Sequence, residues 1–120
     1  MTNLGGLATT NGTVFLTIPA NKTWRGQVNL SATVAVAAAG AAVNASAKIT
    51  LAGTGCDPIS GDYLHLNLHA PASVLGAVGT SDSGNTHMPM TIHAGSTPVT
   101  LTLNTTNTTM QSASAFGVLL

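Results

Sequence analysis

The sequence has 120 residues and a mass of 11.9 kDa, which is enough for one domain and too little for two independent cores. Hydrophobic residues make up 44% of it, as in ordinary globular proteins, but charged residues make up only 5%, against about 25% in a typical domain. Three basic residues are too few to neutralise nucleic-acid phosphates or to hold a basic helix on a membrane. We therefore expect a folded protein that binds neither nucleic acid nor membrane.

The cysteine count and the N-terminus bear on the compartment. Cys56 is the only cysteine, so an internal disulfide is excluded, and we expect a small, semi-buried thiol in a turn. The first residues lack the positive region and apolar run of a secretory signal, which predicts folding in a cytosol. The most apolar stretch, 28–43, is interrupted by polar residues and Gly40, so no transmembrane helix is predicted.

Alternation of apolar and polar residues is the dominant pattern and predicts strands. It is clearest at 28–36, where Val28, Leu30 and Val34 share one face with the polar residues on the other. The predicted strands are 14–18, 28–36, 47–51, 63–69, 74–78, 88–92, 99–103 and 113–119. Short antiparallel strands without a convincing helix predict an all-β fold, an antiparallel β-sandwich or jelly roll of about eight short strands with a flexible N-terminal arm.

The segments between the strands carry the remaining structural predictions. In the Ala-rich stretch 35–47 a helix competes, but Gly40 and the β-branched Val36 and Val43 favour a short connection that joins two strands as a hairpin. The Gly, Pro and Asp content of 53–61 and the composition of 80–85 predict loops. Residues 1–12 show no period and predict a flexible arm, which leaves 13–120 as a single β-sandwich domain.

Four histidines raise the question of a metal site. His65 and His69 share a strand face but lie about 13 Å apart, too far to chelate one ion together. A cross-strand pair of either with His87 or His93 is geometrically possible. We expect exposed or interfacial histidines of unassigned role, no metal and no other cofactor.

The carboxylates do not indicate catalysis. Asp57, Asp62 and Asp82 each have turn-like neighbours, a context in which an Asp side chain normally bonds its own backbone. No nucleophile-elbow, phosphate-loop or metalloprotease motif occurs. We therefore expect a protein that is not an enzyme.

The cluster Trp24-Arg25-Gly26 opens the longest predicted strand and allows two interpretations. The tryptophan either covers one end of the core with Arg25 at the rim, or anchors an interface, since Trp and Arg are favoured there. A third alternative is that Trp24, Tyr63 or Phe15 stacks on a sugar ring. The candidate interface residues are Leu4, Leu7, Phe15, Trp24, Arg25 and Tyr63.

The outward strand positions are mostly Thr, Ser, Asn and Ala, which lose little rotamer entropy when an interface orders them. Proteins that remain dispersed monomers usually protect their strand edges with charged residues and carry a net charge. This sequence has few charges for its strand edges, and its net charge is zero. The core, poor in aromatic residues, is thin enough to benefit from subunit contacts. These features indicate a subunit of a permanent assembly.

A family resemblance agrees with that interpretation. Four segments carry it: Ile18-Pro19-Ala20-Asn21-Lys22-Thr23-Trp24-Arg25-Gly26, Ile49-Thr50-Leu51-Ala52-Gly53, Pro98-Val99-Thr100-Leu101-Thr102-Leu103-Asn104 and Ser112-Ala113-Ser114-Ala115-Phe116-Gly117-Val118-Leu119-Leu120. They resemble small structural proteins of tailed bacteriophages, most of all head decoration or cement proteins. The resemblance covers about 13–120 and is one of general sequence character. Tail and fibre modules share these motifs.

The resemblance implies a β-rich protein that is often trimeric, lies on the outside of the capsid and bridges neighbouring major capsid protein subunits. It implies a homo-oligomer, with a trimer favoured, made in the host cytoplasm and located on the outer surface of the virion. The alternative is a receptor- or carbohydrate-binding β-module of a phage tail, fibre or bacterial surface appendage. A pilin-like or surface-layer subunit is a third hypothesis, and the missing export signal counts against it.

Overall fold

The structure, a computed structural model, describes residues 1–74 and 78–120 as an antiparallel β-sandwich. The predicted all-β fold is confirmed: these residues form nine strands and no helix, and so none long and apolar enough to cross a membrane. The strands are β1 (Thr2–Asn3), β2 (Gly6–Ala8), β3 (Val14–Ile18), β4 (Thr23–Val36), β5 (Val43–Ala52), β6 (Gly61–Ala70), β7 (Thr80–His93), β8 (Val99–Thr106) and β9 (Met110–Leu119).

Two sheets form the sandwich. The five-stranded sheet has the order β1-β9-β4-β7, with β2 also paired to β9, and the four-stranded sheet has the order β3-β8-β5-β6. All the ladders are antiparallel. Among the nine strands that the structure describes, only β5 and β6 are both neighbours in sequence and partners in a sheet, so almost every ladder joins distant parts of the chain.

The core lies between the sheets and follows from the period-2 pattern. Val28, Leu30 and Val34 of β4 belong to one buried cluster with Ile49 of β5 and Leu101 of β8, and all are almost completely buried. Burial of one such side chain contributes about 1.5–3 kcal/mol relative to exposure. The aliphatic core expected from the scarcity of aromatic residues is therefore present, with Trp24 as its largest member.

The predicted loop at 80–85 is wrong, because these residues form the first part of β7. Their Ser, Asp, Gly and Asn content is typical of turns. However, β4 extends without interruption to Val36, which pairs with Thr80, and it offers a ladder partner for every residue of β7. Ser81, Ser83 and Asn85 are exposed, so their polarity costs nothing in this strand.

The predicted hairpin between the strands that flank the Ala-rich stretch is also wrong. β4 belongs to the five-stranded sheet and β5 to the four-stranded sheet, so residues 37–42 cross from one layer to the other. The crossing includes a tight turn in which the N–H of Gly40 donates to the carbonyl oxygen of Ala37 at 2.9 Å. Each strand finds its hydrogen-bond partners elsewhere, so the short connection does not determine the pairing.

Three other predictions concern segments outside the core strands. The loop at 53–61 is confirmed up to residue 60, and Cys56 in it is buried at 8% exposure, more deeply than the semi-buried thiol that was expected. The predicted strand at 74–78 lies mainly outside the described residues, and Val74 and Val78 are not in a strand. The N-terminal arm lies against β9 through β1 and β2, while its flexibility stays a prediction.

Candidate interaction surface

The outer face of the five-stranded sheet is almost free of charge. The ladders place Ser114, Asn29 and His87 in one row across the sheet, and Phe116, Gln27 and Pro89 in the next. The other outward residues of β4, β7 and β9 are Thr23, Arg25, Ser31, Thr33, Ala35, Ser81, Ser83, Asn85, Thr91, His93, Met110, Ser112 and Val118. Among the described residues of these three strands, Arg25 is therefore the one formally charged side chain on this face.

The face is also large enough to dock a partner. β4 and β7 each have 14 residues, β9 has 10, and β1 and β2 have two and three. With strand rises of about 3.3 Å and spacings of about 4.8 Å, the sheet covers about 700 Å². A standard protein interface uses about 800 Å² on each partner. The outer face of the five-stranded sheet thus approaches the size of one complete interface.

One end of this face carries an apolar patch. Phe116 of β9 is 59% exposed and Leu7 of β2 is 65% exposed. Leu7 pairs with Ser114, which shares a face with Phe116, so the two apolar side chains lie on the same side of the sheet, with Val118 next along β9. A groove lined by Asn3, Leu4 and Gly5 adjoins Phe116 where the ladder is interrupted between β1 and β2. We call Leu7, Phe116 and Val118 the apolar patch.

Trp24 lies beneath this end of the sheet, in the core. It is completely buried, and its indole N–H donates to the carbonyl oxygen of Leu4 at 2.8 Å. The ring lies over Gly26 and Gly117, where an added Cβ would come within 2.4 and 2.8 Å of indole atoms. Trp24 therefore covers one end of the core, as the first of the two interpretations predicts, with Arg25 exposed beside it.

The six predicted interface residues are distributed unevenly. Leu4, Leu7, Trp24 and Arg25 gather where the arm meets the five-stranded sheet, and Phe15 lies next to Gly6 of the arm but is buried. Tyr63 lies apart in β6, partly buried, and its hydroxyl donates to the carbonyl oxygen of Ile59 at 2.6 Å. Of these six residues, all of which the structure describes, only Leu7 and Arg25 are well exposed, and an interface role for the six stays a prediction.

Sequence reasoning missed Phe116 and Val118 as surface residues. The signal was available, because the predicted strand at 113–119 alternates small residues with larger ones. Ala113, Ala115 and Gly117 turn inward, so Phe116 has to face outward. Phe116 occupies an outward position of an alternating strand, whereas Trp24 occupies an inward one. The alternation pattern therefore pointed to Phe116, and not to Trp24, as the aromatic residue of the surface.

The outer face of the four-stranded sheet has a different chemistry. A shallow polar depression there is lined by, among others, Lys48, Thr50, Asp62, His65, Asn67 and Asn104. The Lys48 Nζ donates to Asp62 Oδ2 at 3.0 Å, and the Thr50 hydroxyl donates to Asp62 Oδ1 at 2.8 Å. These two hydrogen bonds, the Lys48 one foremost, lower the pKa of Asp62 below its ordinary value.

The prediction that the aspartates serve as turn residues is wrong for two of the three. Asp62 lies in β6 and bonds side chains of β5, and Asp82 lies in β7 and accepts the backbone N–H of His69 at 3.0 Å. Asp57 is in the loop before β6, and its backbone forms both hydrogen bonds of a bridge to His93. Asp62 and Asp82 thus connect neighbouring strands.

The histidines do not converge. His65 and His69 lie on the outer face of the four-stranded sheet, whereas His87 and His93 lie on the outer face of the five-stranded sheet. The cross-strand pair that the sequence allowed is therefore wrong. His69 Nδ1 is 2.7 Å from Asn44 Oδ1, and His93 Nδ1 is 2.8 Å from Thr23 Oγ1. Within 1–74 and 78–120, no group of three or more His, Cys, Asp or Glu could hold a metal ion.

The two sheet faces define a β-sandwich with one neutral, partly apolar surface and one polar, charged surface. No protein-family model matches the sequence, and no curated protein matches it significantly. The neutral face is suited to contacts made by apolar burial and neutral hydrogen bonds, without long-range attraction between charges.

Proposed function

We propose that this chain is a non-enzymatic structural protein of a bacteriophage virion, a decoration or cement protein that binds the outside of the capsid and bridges major capsid subunits. The observation that carries the proposal is the neutral outer face of the five-stranded sheet. A surface of about 700 Å² with one charged side chain is unusual for a protein that remains free in solution. It suits a protein that is covered in a permanent assembly.

The apolar patch supplies the part of the face with the most binding energy. Leu7 and Phe116 expose apolar area that a partner would bury at about 25 cal/mol per Å². The Ser, Thr, Asn and Gln side chains around them lose little entropy on binding and supply neutral hydrogen bonds. This combination resembles the apolar core and polar rim of a protein interface.

Stabilisation of the shell follows from mass action. A protein that binds the assembled shell better than its loose subunits shifts the equilibrium toward assembly, without any chemical step. Bridging requires contacts with two neighbouring subunits, and the long axis of this molecule, 57 Å, supports such a span. The N-terminal arm lies at the edge of the same sheet and is a second element for contact with the capsid or a sister copy.

The rival function, carbohydrate binding, has weaker support. It calls for an exposed aromatic ring on a concave polar patch. Trp24 and Phe15 are buried, and Tyr63 is partly buried with its hydroxyl bonded to Ile59. The lining of the polar depression includes no Phe, Tyr or Trp, and the exposed Phe116 lies in the apolar patch of the other sheet. The neutral face therefore favours the structural role.

The test is to mix the purified chain with capsids that lack it and to measure co-sedimentation and the melting temperature of the shell. We expect saturable binding at hundreds of copies per particle and a rise in that temperature. Phe116→Ser should weaken binding about tenfold or more, because it removes the largest exposed apolar side chain of the patch. Ile59→Ser is the matched control, since Ile59 is 76% exposed but lies in the loop 53–60, outside the strands of the five-stranded sheet.

Two results would contradict the proposal. One is a handful of copies confined to the tail, together with binding of the isolated chain to a glycan array, which would support the rival. The other is equal loss of shell binding in the Phe116 and Ile59 variants, which would show that the apolar patch is not the contact.

A further inference from the structure

The sandwich has four sheet edges, and three of them are short, irregular or covered. β1 and β2 have two and three residues. β3 has five residues and a bulge between Val14 and Leu16. β6 has a bulge at Leu64, whose φ is 54°, and its His69 N–H is bonded to Asp82. Such devices prevent the edge of a sheet from pairing with another chain.

The fourth edge, β7, lacks most of this protection. It pairs with β4 over all 14 residues, Thr80–His93, without a register shift. Among the residues that the structure describes, no strand pairs with its other side, and only the Asp57 bridge at His93 covers one end. β7 contains no lysine or arginine, and its single charge, Asp82, is turned toward β6.

The Asp57 bridge also fixes which backbone groups face outward. His93 N–H donates to Asp57 O at 2.7 Å and Asp57 N–H donates to His93 O at 3.0 Å, so the backbone groups of His93 point away from β4. Because these directions alternate along an antiparallel strand, the odd-numbered residues from Ser83 to Thr91 also point outward. Pro89 is one of them, and a proline is tolerated where the strand has no partner for an N–H.

We infer that β7 pairs with β7 of a second copy of this chain, antiparallel about a two-fold axis, so that the five-stranded sheets of two molecules join into one. The other edges are too short or too irregular to match a straight strand of this length, whereas another β7 matches it. A register centred on Asn85 places Pro89 opposite Ser81 of the second copy, at the margin of the ladder, where its missing N–H costs least.

Charge and side-chain chemistry agree with this pairing. In the register centred on Asn85, Ser83 faces His87 of the second copy, Gly84 faces Thr86, and Asp82 faces Met88. No like charges are opposed, which in a sheet would be destabilising. The pairing also places the two neutral outer faces side by side. The contact does not depend on the proposed binding to a capsid, and it is two-fold, unlike the trimer that the resemblance implies.

The experiment is sedimentation equilibrium of the purified full-length chain over a range of concentrations. We expect a reversible dimer with twice the 11.9 kDa mass of the chain. Asn85→Pro removes the outward N–H at the two-fold axis and should raise the dimer dissociation constant about tenfold or more. Asn67→Pro is the matched control: it also replaces an exposed asparagine with an outward N–H, but on edge strand β6, and it should leave the dimer unchanged.

A second measurement uses the unaltered protein and so does not depend on whether a proline variant folds. Amide hydrogen exchange should show that Ser83, Asn85 and His87 become protected as concentration rises and the dimer forms. A chain that stays monomeric or forms a trimer would overturn the inference. So would a dimer in which these three amides exchange at the rate of open edge residues.

Discussion

The indole N–H of Trp24 and the carbonyl oxygen of Leu4 are 2.8 Å apart, and this hydrogen bond joins the largest core side chain to the N-terminal arm. The bond is partly buried and is flanked by a second one, from the Leu4 N–H to the Gly117 carbonyl oxygen at 2.9 Å. The arm therefore has one defined point of attachment between its two short strands. That attachment can be tested separately from the rest of the fold.

Trp24→Phe should weaken the arm before it weakens the sandwich. The variant leaves the Leu4 carbonyl without its donor and leaves a cavity beside it in the core, and it should lower the free energy of unfolding by about 2–4 kcal/mol. Hydrogen exchange at Leu4 and Leu7 should accelerate. Tyr63→Phe also removes one side-chain bond to a backbone carbonyl, at Ile59, but should leave arm exchange unchanged. Equal effects of both variants on the arm would contradict this role for Trp24.

The two glycines packed against the Trp24 ring, Gly26 and Gly117, should not tolerate a methyl group. A Cβ at Gly117 would come within 2.3 Å of the Arg25 carbonyl oxygen and 2.8 Å of the indole. Gly117→Ala should therefore lower the free energy of unfolding in urea by about 2–3 kcal/mol. Gly61→Ala is the control, since a Cβ there meets nothing within 4 Å, and it should change stability by less than about 0.5 kcal/mol. If Gly117→Ala left the free energy of unfolding unchanged, the strands would have to move apart at this point to make room for the methyl group.

The Lys48–Asp62 pair should make stability depend on acid pH. Because the Lys48 and Thr50 hydrogen bonds lower the pKa of Asp62 from 3.8, their contribution is present above that value and is lost as pH falls through the lower folded-state pKa. The difference in unfolding free energy between the wild type and Asp62→Asn should therefore shrink toward low pH. It should be small throughout, since both side chains are more than one-third exposed.

Urea denaturation at a series of pH values measures this effect. Lys48→Met removes the other partner and should likewise flatten the acid dependence. A wild-type advantage over Asp62→Asn that stays constant from neutral to acid pH would exclude the ion pair as its source.

Attachment to the proposed capsid partner should resist salt. In the part of the chain that the structure describes, Arg25 is the single charged side chain on the outer face of β4, β7 and β9, so salt has few charges to screen there. Raising sodium chloride to about 1 M should change the bound fraction by less than about twofold in a co-sedimentation assay, because the Debye length falls to about 3 Å without affecting apolar contacts. Quantitative release by salt would mean that another surface makes the contact.

Much of the fold follows from alternation along the strands. The pattern around Val28, Leu30 and Val34 predicted β4 because one buried face leaves a period-2 signal that is independent of the partner strands. The same reasoning failed at 80–85, where small polar residues occupy a strand whose identity depends on β4 beside it. Strand order could not be read from the sequence, since it is determined by contacts between distant residues.

The candidate surface was predictable in character but not in location. The scarcity of charged residues indicated that part of the surface is covered by a partner. The strand registers show where: the uncharged residues lie on the outer face of the five-stranded sheet, and Lys48 and Asp62 lie on the four-stranded sheet. The sequence predicted Trp24 as a candidate interface residue, but the exposed aromatic residue on this face is Phe116. The direction of a side chain at the end of a strand depends on its ladder register, and that register is a tertiary property.

The strand order has a kinetic consequence. Thr2 pairs with Leu119, β4 pairs with β9, and of the ladders between described strands only β5–β6 joins strands adjacent in sequence. Closure of long loops must therefore come before most of the stabilising contacts, which places folding on the millisecond-to-second scale typical of sandwiches. Until β9 is available, one side of β4 has no partner, even if β7 has already paired with the other side. Newly made chains are therefore most prone to aggregate before β9 has emerged from the ribosome.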